Sequence, residues 1–305
     1  MKKINLTPAL SIAFGLLTVV SCNNDDDLKL DNNTNNSLTE VDKRTLENRI
    51  KNTQKIFYSV PSPLETALMF EKAGLNYNKD LLNPIENAAK YATNFSKAIN
   101  LGIYGADLTF TSIFNQTQES MFYMNCAQKL SDGLGISDVF NEKLLERMEI
   151  NINNRDSVSQ IISETYWTVD MYLKENNRQS ISALIICGGW IEGLYLGSSM
   201  LEKSTQNAEL EKIIAEQKYS FESLLELLHS FKEEELVKPA LPYLNELAPL
   251  FEKITLSKQE ETTAETNSKT GVTTIKGGNS LHYTNADLMA IKNKISAIRN
   301  TLIKP

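Results

Sequence analysis

The most apolar stretch of the chain after its N-terminal segment reads ALIICGGWIEGLYLG at residues 183–197. Gly189, Gly193 and Gly197 recur every four residues and therefore share one helical face. Each glycine in a helix interior costs about 1 kcal/mol relative to alanine, so something must compensate. We predict that a neighbouring helix approaches this face closely; a ligand lying on the bare backbone is the alternative. Glu192 at the centre of the stretch favours a buried core helix over a membrane span.

Helical periodicity continues on both sides of this stretch, from residue 38 to the end of the chain. Val158, Ile162 and Val169 share one face, for example, and strand-like alternation is almost absent. Sequence patterns typical of helix ends separate these helical stretches. They include a capping box that begins at Ser62 and a C-terminal glycine at Gly74. The sequence predicts an all-α fold of about ten helices, arranged as an irregular multi-helix bundle or as stacked helical hairpins.

Two places interrupt the helical pattern. Residues 100–107, NLGIYGAD, hold two glycines and predict a turn between two helices, or a flexible hinge. Residues 257–283 predict a polar loop within an otherwise single domain of residues 38–305. This loop leaves room for one small β-hairpin near residues 272–283, in which 272–275 would pair with 280–283.

The N-terminus has the order of a secretory signal: two lysines, then an apolar run too short for an ordinary spanning helix. It ends in VVSC at residues 19–22, which resembles the lipobox of bacterial lipoproteins. The resemblance implies cleavage of a signal peptide of residues 1–21. It also implies that Cys22 carries a diacylglyceryl group and a further acyl chain such as palmitate, which together hold the protein on a membrane.

Residues 22–37 are almost entirely Asn, Asp, Thr and Ser, which predicts a disordered acidic tether. Its acids at residues 25–27 resemble the export signal of surface lipoproteins from Bacteroidetes, and this implies an outer-membrane protein on the cell surface. An ordinary acidic linker, on a protein that faces the periplasm, is the alternative.

Charge and cysteine content limit the partners and the covalent chemistry. Without residues 1–21, 29 basic and 38 acidic side chains remain, a formal net charge of −9 that argues against nucleic acid. Once lipid occupies Cys22, only Cys126 and Cys187 are left. Both lie in apolar helical patterns, so a disulfide and two buried thiols both remain open.

The sequence offers few groups for catalysis, because it holds only two histidines and no recognisable nucleophile, phosphate-binding or metal motif. We therefore assign no catalytic residue, cofactor or metal. Acids and aromatic residues do recur together on successive stretches and suggest a pocket for a cationic or sugar-like ligand, with a concave surface nearby. Ordinary core packing is the alternative. The six candidate residues are Tyr104, Asp107, Trp167, Asp170, Trp190 and Glu192.

One modification motif is present. The residues Asp156-Ser157-Val158 resemble the three-residue O-glycosylation site of exported Bacteroidetes proteins, which would place a sugar on Ser157. The alternative is that Ser157 is the N-cap of the helix that starts there.

Three segments together carry a wider resemblance: YSVPSPLE at residues 58–65, LNP at 82–84 and NLGIYGAD at 100–107. They are similar to a family of uncharacterised all-helical lipoproteins from Bacteroidetes. The resemblance implies an exported all-α protein and implies no activity.

The sequence thus favours an envelope lipoprotein that is anchored by lipid on Cys22 and acts as a helical binding or interaction module for a protein or glycan. A cell-surface hydrolase that uses Asp107, Asp170 or Glu192 as acid and base is one alternative. A structural envelope component is another.

Overall fold

The computed structural model describes residues 60–201, 207–256, 260–266, 273–278 and 281–305, the two ranges 260–266 and 273–278 by their backbone alone. The predicted signal peptide, tether and first helical residues lie outside this described part. Within it, helices dominate and the predicted all-α multi-helix fold is confirmed. Its helices are α1 (Pro63–Lys72), α2 (Asn94–Ile113), α3 (Thr117–Leu134), α4 (Glu142–Asn151), α5 (Arg155–Glu175), α6 (Gln179–Ser198), α7 (Ala208–His229), α8 (Leu241–Phe251) and α9 (Asn285–Leu302).

Short polar motifs fix where these helices begin and end. At the start of α1 the Ser62 hydroxyl accepts a hydrogen bond from the Glu65 N–H, and the Glu65 carboxylate accepts one from the Ser62 N–H. This reciprocal capping box satisfies two backbone donors that a helix start otherwise leaves free. Gly74 follows α1 in the left-handed region, at φ 95°. Both signals were predicted from the sequence and are confirmed.

Helix α6 is the central element of the bundle. It packs against α1, α2, α5, α7 and α9. Among the described residues it is the one helix long and apolar enough to cross a membrane, yet 89% of its most apolar window is buried inside the protein. The stretch quoted from residues 183–197 is therefore a core helix, as its central Glu192 predicts.

The backbones of α2 and α6 touch where the two helices cross. A Cβ atom on Gly188 would lie 2.0 Å from the carbonyl oxygen of Ile99, and a Cβ on Gly102 would lie 2.0 Å from that of Ile185. No side chain fits at such distances. The close approach of the two backbones therefore requires glycine at both positions, and local flexibility is not the reason for these glycines.

The glycine stripe of α6 faces α1. Gly189 lies against Pro63, Gly193 against Thr66 and Gly197 against the ring of Phe70. The order of these contacts shows that α1 runs parallel to α6. The predicted close approach of a neighbouring helix is confirmed, and α1 occupies the groove in which the sequence alternatively allowed a ligand.

The turn or hinge predicted at residues 100–107 is wrong, because α2 continues through them as one 20-residue helix. Two glycines in a helix cost stability when the helix is considered alone. Here Gly102 is required for the contact with Ile185, and the burial of the surrounding residues outweighs the lost helix propensity.

Among the described residues, β-structure occurs between α8 and α9, as expected, but its predicted pairing is wrong. Strand β1 (Thr255–Leu256) pairs with β4 (Leu281–His282), and β2 (Glu260–Thr266) pairs with β3 (Thr273–Gly278), both antiparallel. Residues 276–278, predicted as a turn, continue β3. The polar run at 260–266 suggests a loop, but its threonines favour a strand, and the longer pairing forms more ladder hydrogen bonds than a four-residue hairpin.

Both remaining cysteines are buried free thiols, which decides between the two alternatives left by the sequence. Cys126 lies on α3 and Cys187 on α6. Burial raises the pKa of Cys126 to about 11 and that of Cys187 to about 12. Both thiols therefore stay protonated and unreactive at neutral pH.

The crossing of α2 and α6 gives a stability prediction. Gly188→Ala should lower the free energy of unfolding by about 1 to 3 kcal/mol or more, because the new methyl group meets backbone and cannot be accommodated by a side-chain rotation. Gly105→Ala is the matched control, since a Cβ there meets nothing within 4 Å. The free energy of unfolding of this control should stay the same or rise by up to about 1 kcal/mol. Urea denaturation measures both, and equal effects at the two sites would contradict the backbone contact.

Candidate functional site

Helix α9 brings a buried arginine to the centre of the bundle. Arg299 donates from Nε and Nη2 to the two carboxylate oxygens of Glu192 on α6, at 2.8 Å each. The Arg299 and Glu192 side chains are 4% and 0% exposed. A bidentate pair of this kind is geometrically specific, and removal of one partner would leave an uncompensated charge inside the protein.

A second carboxyl group lies beside this ion pair. Asp107 on α2 is fully buried and accepts a hydrogen bond from the Asn83 N–H at 3.1 Å. The Asn83 side chain in turn donates to Asn100 and to the hydroxyl of Tyr91, both at 3.1 Å. We call Asn83, Asn100, Asp107, Glu192 and Arg299 the buried polar cluster.

The protonation state of the cluster follows from its charges. Burial raises the pKa of Asp107 well above its ordinary value, and the nearby Glu192 carboxylate raises it further, while Arg299 and the Asn83 N–H oppose the shift. The Asp107 Oδ1 atom accepts no hydrogen bond within the described part of the chain. A proton on Asp107 can be donated to Glu192 and leaves one carboxylate facing one guanidinium, which is the neutral arrangement a dry interior favours.

The buried polar cluster also fastens the end of the last helix. The Asn100 amide donates to the carbonyl of Leu302 at 3.0 Å, and the Tyr91 hydroxyl donates to that of Ile303 at 2.9 Å. These two carbonyls belong to the last turn of α9, where no further helical N–H is available to them. Side chains from α2 and from the loop before it therefore cap α9.

The six residues predicted to form a ligand pocket do not meet at one site. Asp107 and Glu192 are in the buried polar cluster, and Tyr104 lies against it, with its hydroxyl bonded to the carbonyl of Pro84 at 2.8 Å. All three side chains are fully buried. Tyr104 is part of the core and therefore does not itself line a concave surface.

Asp170, Trp190 and Trp167 lie in three other environments. Asp170 on α5 is buried and is engaged by Lys174 and by the Ser182 hydroxyl. Trp190 packs against two phenylalanines of the core and donates its indole N–H to Ser220 at 3.0 Å. Trp167 is 40% exposed on the outer face of α5. Trp190 is therefore an ordinary core residue, which was the alternative to a ligand pocket.

The positions of Asp107, Asp170 and Glu192 also bear on the alternative prediction of a hydrolase. Asp107 and Glu192 are neighbours, but neither reaches solvent, and Asp170 is buried on another helix with its own partners. A glycoside hydrolase needs an acid and a second carboxylate that flank the bond to be cut. The three predicted acids do not provide that arrangement across an open cleft.

An open pocket of about 530 Å³ does exist, at a place that the sequence did not indicate. It lies between the loop after α1, the C-terminal end of α6 and one face of α9. We call it the Tyr77–Tyr195 pocket. Its volume falls in the range typical of small-molecule sites, about 300 to 1,000 Å³. The lining residues are Leu75, Asn76, Tyr77, Asn78, Leu81, Tyr195, Ser199, Met200, Lys292, Ser296 and Asn300.

Arg299 contacts two residues that line this pocket, Tyr195 and Leu81, from the core side. Its guanidinium lies over the ring of Tyr195, 4.5 Å from the ring centroid, and its Nη2 donates to the carbonyl of Leu81 at 2.8 Å. Contact of a guanidinium with an aromatic face is favourable and fixes the ring. The buried polar cluster therefore positions Tyr195 and Leu81 for whatever enters the pocket.

Sequence reasoning missed Arg299, Tyr77 and the polar face of α9, although one signal was available. Arg299 follows Ile295 by four residues and Lys292 follows Leu288 by four, so both basic residues continue the apolar stripe of α9. A basic residue on a core stripe indicates a buried acid opposite. Tyr77 has no such signal, because it follows a helix end within a loop.

A second cavity, lined almost wholly by apolar residues, lies between α1, α2 and α5, with Gly105, Leu108 and Val169 among its lining residues. Its volume is about 60 Å³. An engineered apolar cavity that binds benzene is larger, at roughly 150 Å³. Between the two, the Tyr77–Tyr195 pocket is the better candidate for a ligand.

Two further predictions concern metal and sugar modification. The described residues contain no group of three His, Cys, Asp or Glu side chains that could hold a metal ion. Ser157 lies half-buried in the first turn of α5, where its N–H donates to Asn154 at 3.0 Å. Asn154 is therefore the N-cap, and the capping role proposed for Ser157 is wrong. Its O-glycosylation stays a prediction.

Comparison with known proteins adds no relative: no family model, no curated protein and no solved structure matches the chain.

The raised pKa of Asp107 predicts how stability depends on pH. An aspartate in an unfolded chain loses its proton near pH 4, whereas folded Asp107 keeps it to higher pH. Between these two pKa values the folded state binds one more proton, so stability falls as pH rises through that interval. Asp107→Asn mimics the protonated form and cannot titrate. The variant should lose less stability than the wild type between pH 4 and pH 8.

Urea denaturation at several pH values measures this difference. Asp132→Asn, at an exposed position of α3, controls for the loss of one carboxylate. If Asp107→Asn and the wild type show the same pH dependence, Asp107 is not held protonated in the fold.

Proposed function

We propose that the protein is a membrane-anchored envelope lipoprotein whose helical body binds a small ligand in the Tyr77–Tyr195 pocket. The observation that carries the binding role is the pocket itself: about 530 Å³, with two tyrosine rings and several hydrogen-bonding side chains in its lining. Small-molecule sites combine aromatic or apolar surface with placed polar groups, and this pocket contains both.

The anchoring role is supported by sequence: a basic start, an apolar run and the lipobox-like residues 19–22. Lipid on Cys22 would hold the protein at the outer membrane, and the acidic residues 25–27 favour the cell surface over the periplasmic side. The predicted tether of residues 22–37 would separate that lipid from the helical body. A tether of this length would let the body meet its ligand away from the membrane surface.

Anchoring is tested by replacing the lipidated residue. Cys22→Ser should move the protein from the membrane fraction to the soluble fraction and remove the acyl chains from its mass, because serine offers no thiol to alkylate. Cys126→Ala changes a cysteine that is buried in the body, and this variant should stay in the membrane. A wild-type protein that is soluble and carries no lipid on Cys22 would refute the anchoring role. Antibody labelling of intact cells separates the cell surface from the periplasmic side.

Ligand binding is tested by filling the pocket. Asn300 lies exposed on α9 and lines the pocket, so Asn300→Trp should occupy its space without disturbing the core. Asn293→Trp adds the same side chain at an exposed position of the same helix outside the lining. The mature chain with Cys22→Ser is immobilised and exposed to a deproteinised envelope extract, and the retained small molecules are identified by mass spectrometry.

Wild type and Asn293→Trp should retain the same compound, and Asn300→Trp should not. If all three proteins retain the same compounds, or if none retains any, the pocket is not the ligand site.

A further inference from the structure

We propose that the Tyr77–Tyr195 pocket binds a saccharide. This inference rests on the proposed binding function and specifies the chemical class of its ligand. The sequence suggested a cationic or a sugar-like ligand for a different set of residues, and the side chains that line the Tyr77–Tyr195 pocket favour the sugar-like one.

Hydrogen-bonding capacity is the first argument. Asn76, Asn78 and Asn300 line the pocket together with two serines, and an amide both donates and accepts, as a sugar hydroxyl does. The amide of Asn300 makes no hydrogen bond to another described residue. It is therefore available to a ligand without loss of an existing contact. The Ser296 hydroxyl donates to the carbonyl of Lys292 at 2.8 Å, which leaves its oxygen free to accept.

The aromatic residues supply the second argument. Tyr195 is fixed by the guanidinium of Arg299, and Tyr77 stacks against Phe110 with ring centroids 5.7 Å apart. A sugar ring presents C–H groups on its faces and hydroxyl groups at its edge. Aromatic rings pack against the C–H groups, and amides form hydrogen bonds with the hydroxyl groups. A site that holds both kinds of side chain in place therefore matches both parts of a sugar.

The Tyr77 hydroxyl points to the same class of ligand. This oxygen is buried, and it makes no hydrogen bond within the described residues. A buried hydroxyl without a partner is unfavourable, and a hydroxyl group of a ligand is one group that would satisfy it.

Length and charge define the ligand further. Lys292, Ser296 and Asn300 follow one another at intervals of four residues on α9, and eight residues of helix span about 12 Å. This is enough for two linked sugar rings. The described lining holds no Asp or Glu side chain that could balance the charge of a cationic ligand. The pocket therefore fits a saccharide of about two units that carries no positive charge.

The test uses the mature chain with Cys22→Ser on a glycan array that carries neutral, carboxylate-bearing and amine-bearing saccharides. Binding to neutral or carboxylate-bearing glycans supports the inference. The best glycan is then titrated calorimetrically against two variants. Asn300→Ala should bind about tenfold more weakly, as expected for the loss of a hydrogen-bonding side chain, and Asn293→Ala should bind like the wild type.

The outcomes separate this inference from the proposed function. If the array shows no binding, or binding to amine-bearing saccharides alone, the saccharide inference is overturned. Retention of another compound from the envelope extract, sensitive to Asn300→Trp, would then leave the binding function standing. Equal affinity of Asn300→Ala and the wild type would also overturn it, because the glycan would then be bound elsewhere on the protein.

Discussion

The backbone contact between α2 and α6 determines where the other elements can lie. Gly102 and Gly188 bring the two helices so close that the carbonyl oxygens of Ile185 and Ile99 occupy the space of the missing side chains. At ordinary helix separations, roughly 8 to 10 Å, side chains fill the interface. Here the closer approach lets α1 lie along the glycine stripe of α6 on one side, while α7 and α9 cover α6 elsewhere. The bundle is therefore organised around a helix whose most important residues have no side chain.

The two helices that cross also bring two buried acids together in the core. Asp107 on α2 and Glu192 on α6 are buried side by side, and α9 supplies Arg299 to balance them. A buried pair contributes less to stability than its geometry suggests, because both ions lose their hydration. Its value here is specificity: Arg299 fits only when α9 lies against α6 in one register. That register also places Lys292, Ser296 and Asn300 along the Tyr77–Tyr195 pocket.

Local signals in the sequence predicted much of the fold and little of the site. Capping residues such as Ser62 and Gly74 act on their own neighbours, and the periodicity of apolar residues reports burial directly, so both are readable from one chain. Residues 100–107 were wrongly predicted as a turn, because the reason for Gly102 lies on another helix, at Ile185. The pocket was missed for the same cause. Tyr77, Tyr195 and Asn300 come from three separate segments, and no local pattern connects them.

The position of Arg299 in the chain has a consequence for how the protein is made. Both buried acids precede their counter-ion in the chain, and 107 residues separate Glu192 from Arg299. Until α9 docks, Glu192 has no guanidinium to face and α6 carries an acid along a surface that is otherwise apolar. The core is therefore complete only once α9 has been made and has docked. A chain without α9 would remain open at its centre and would be exposed to proteolysis in that state.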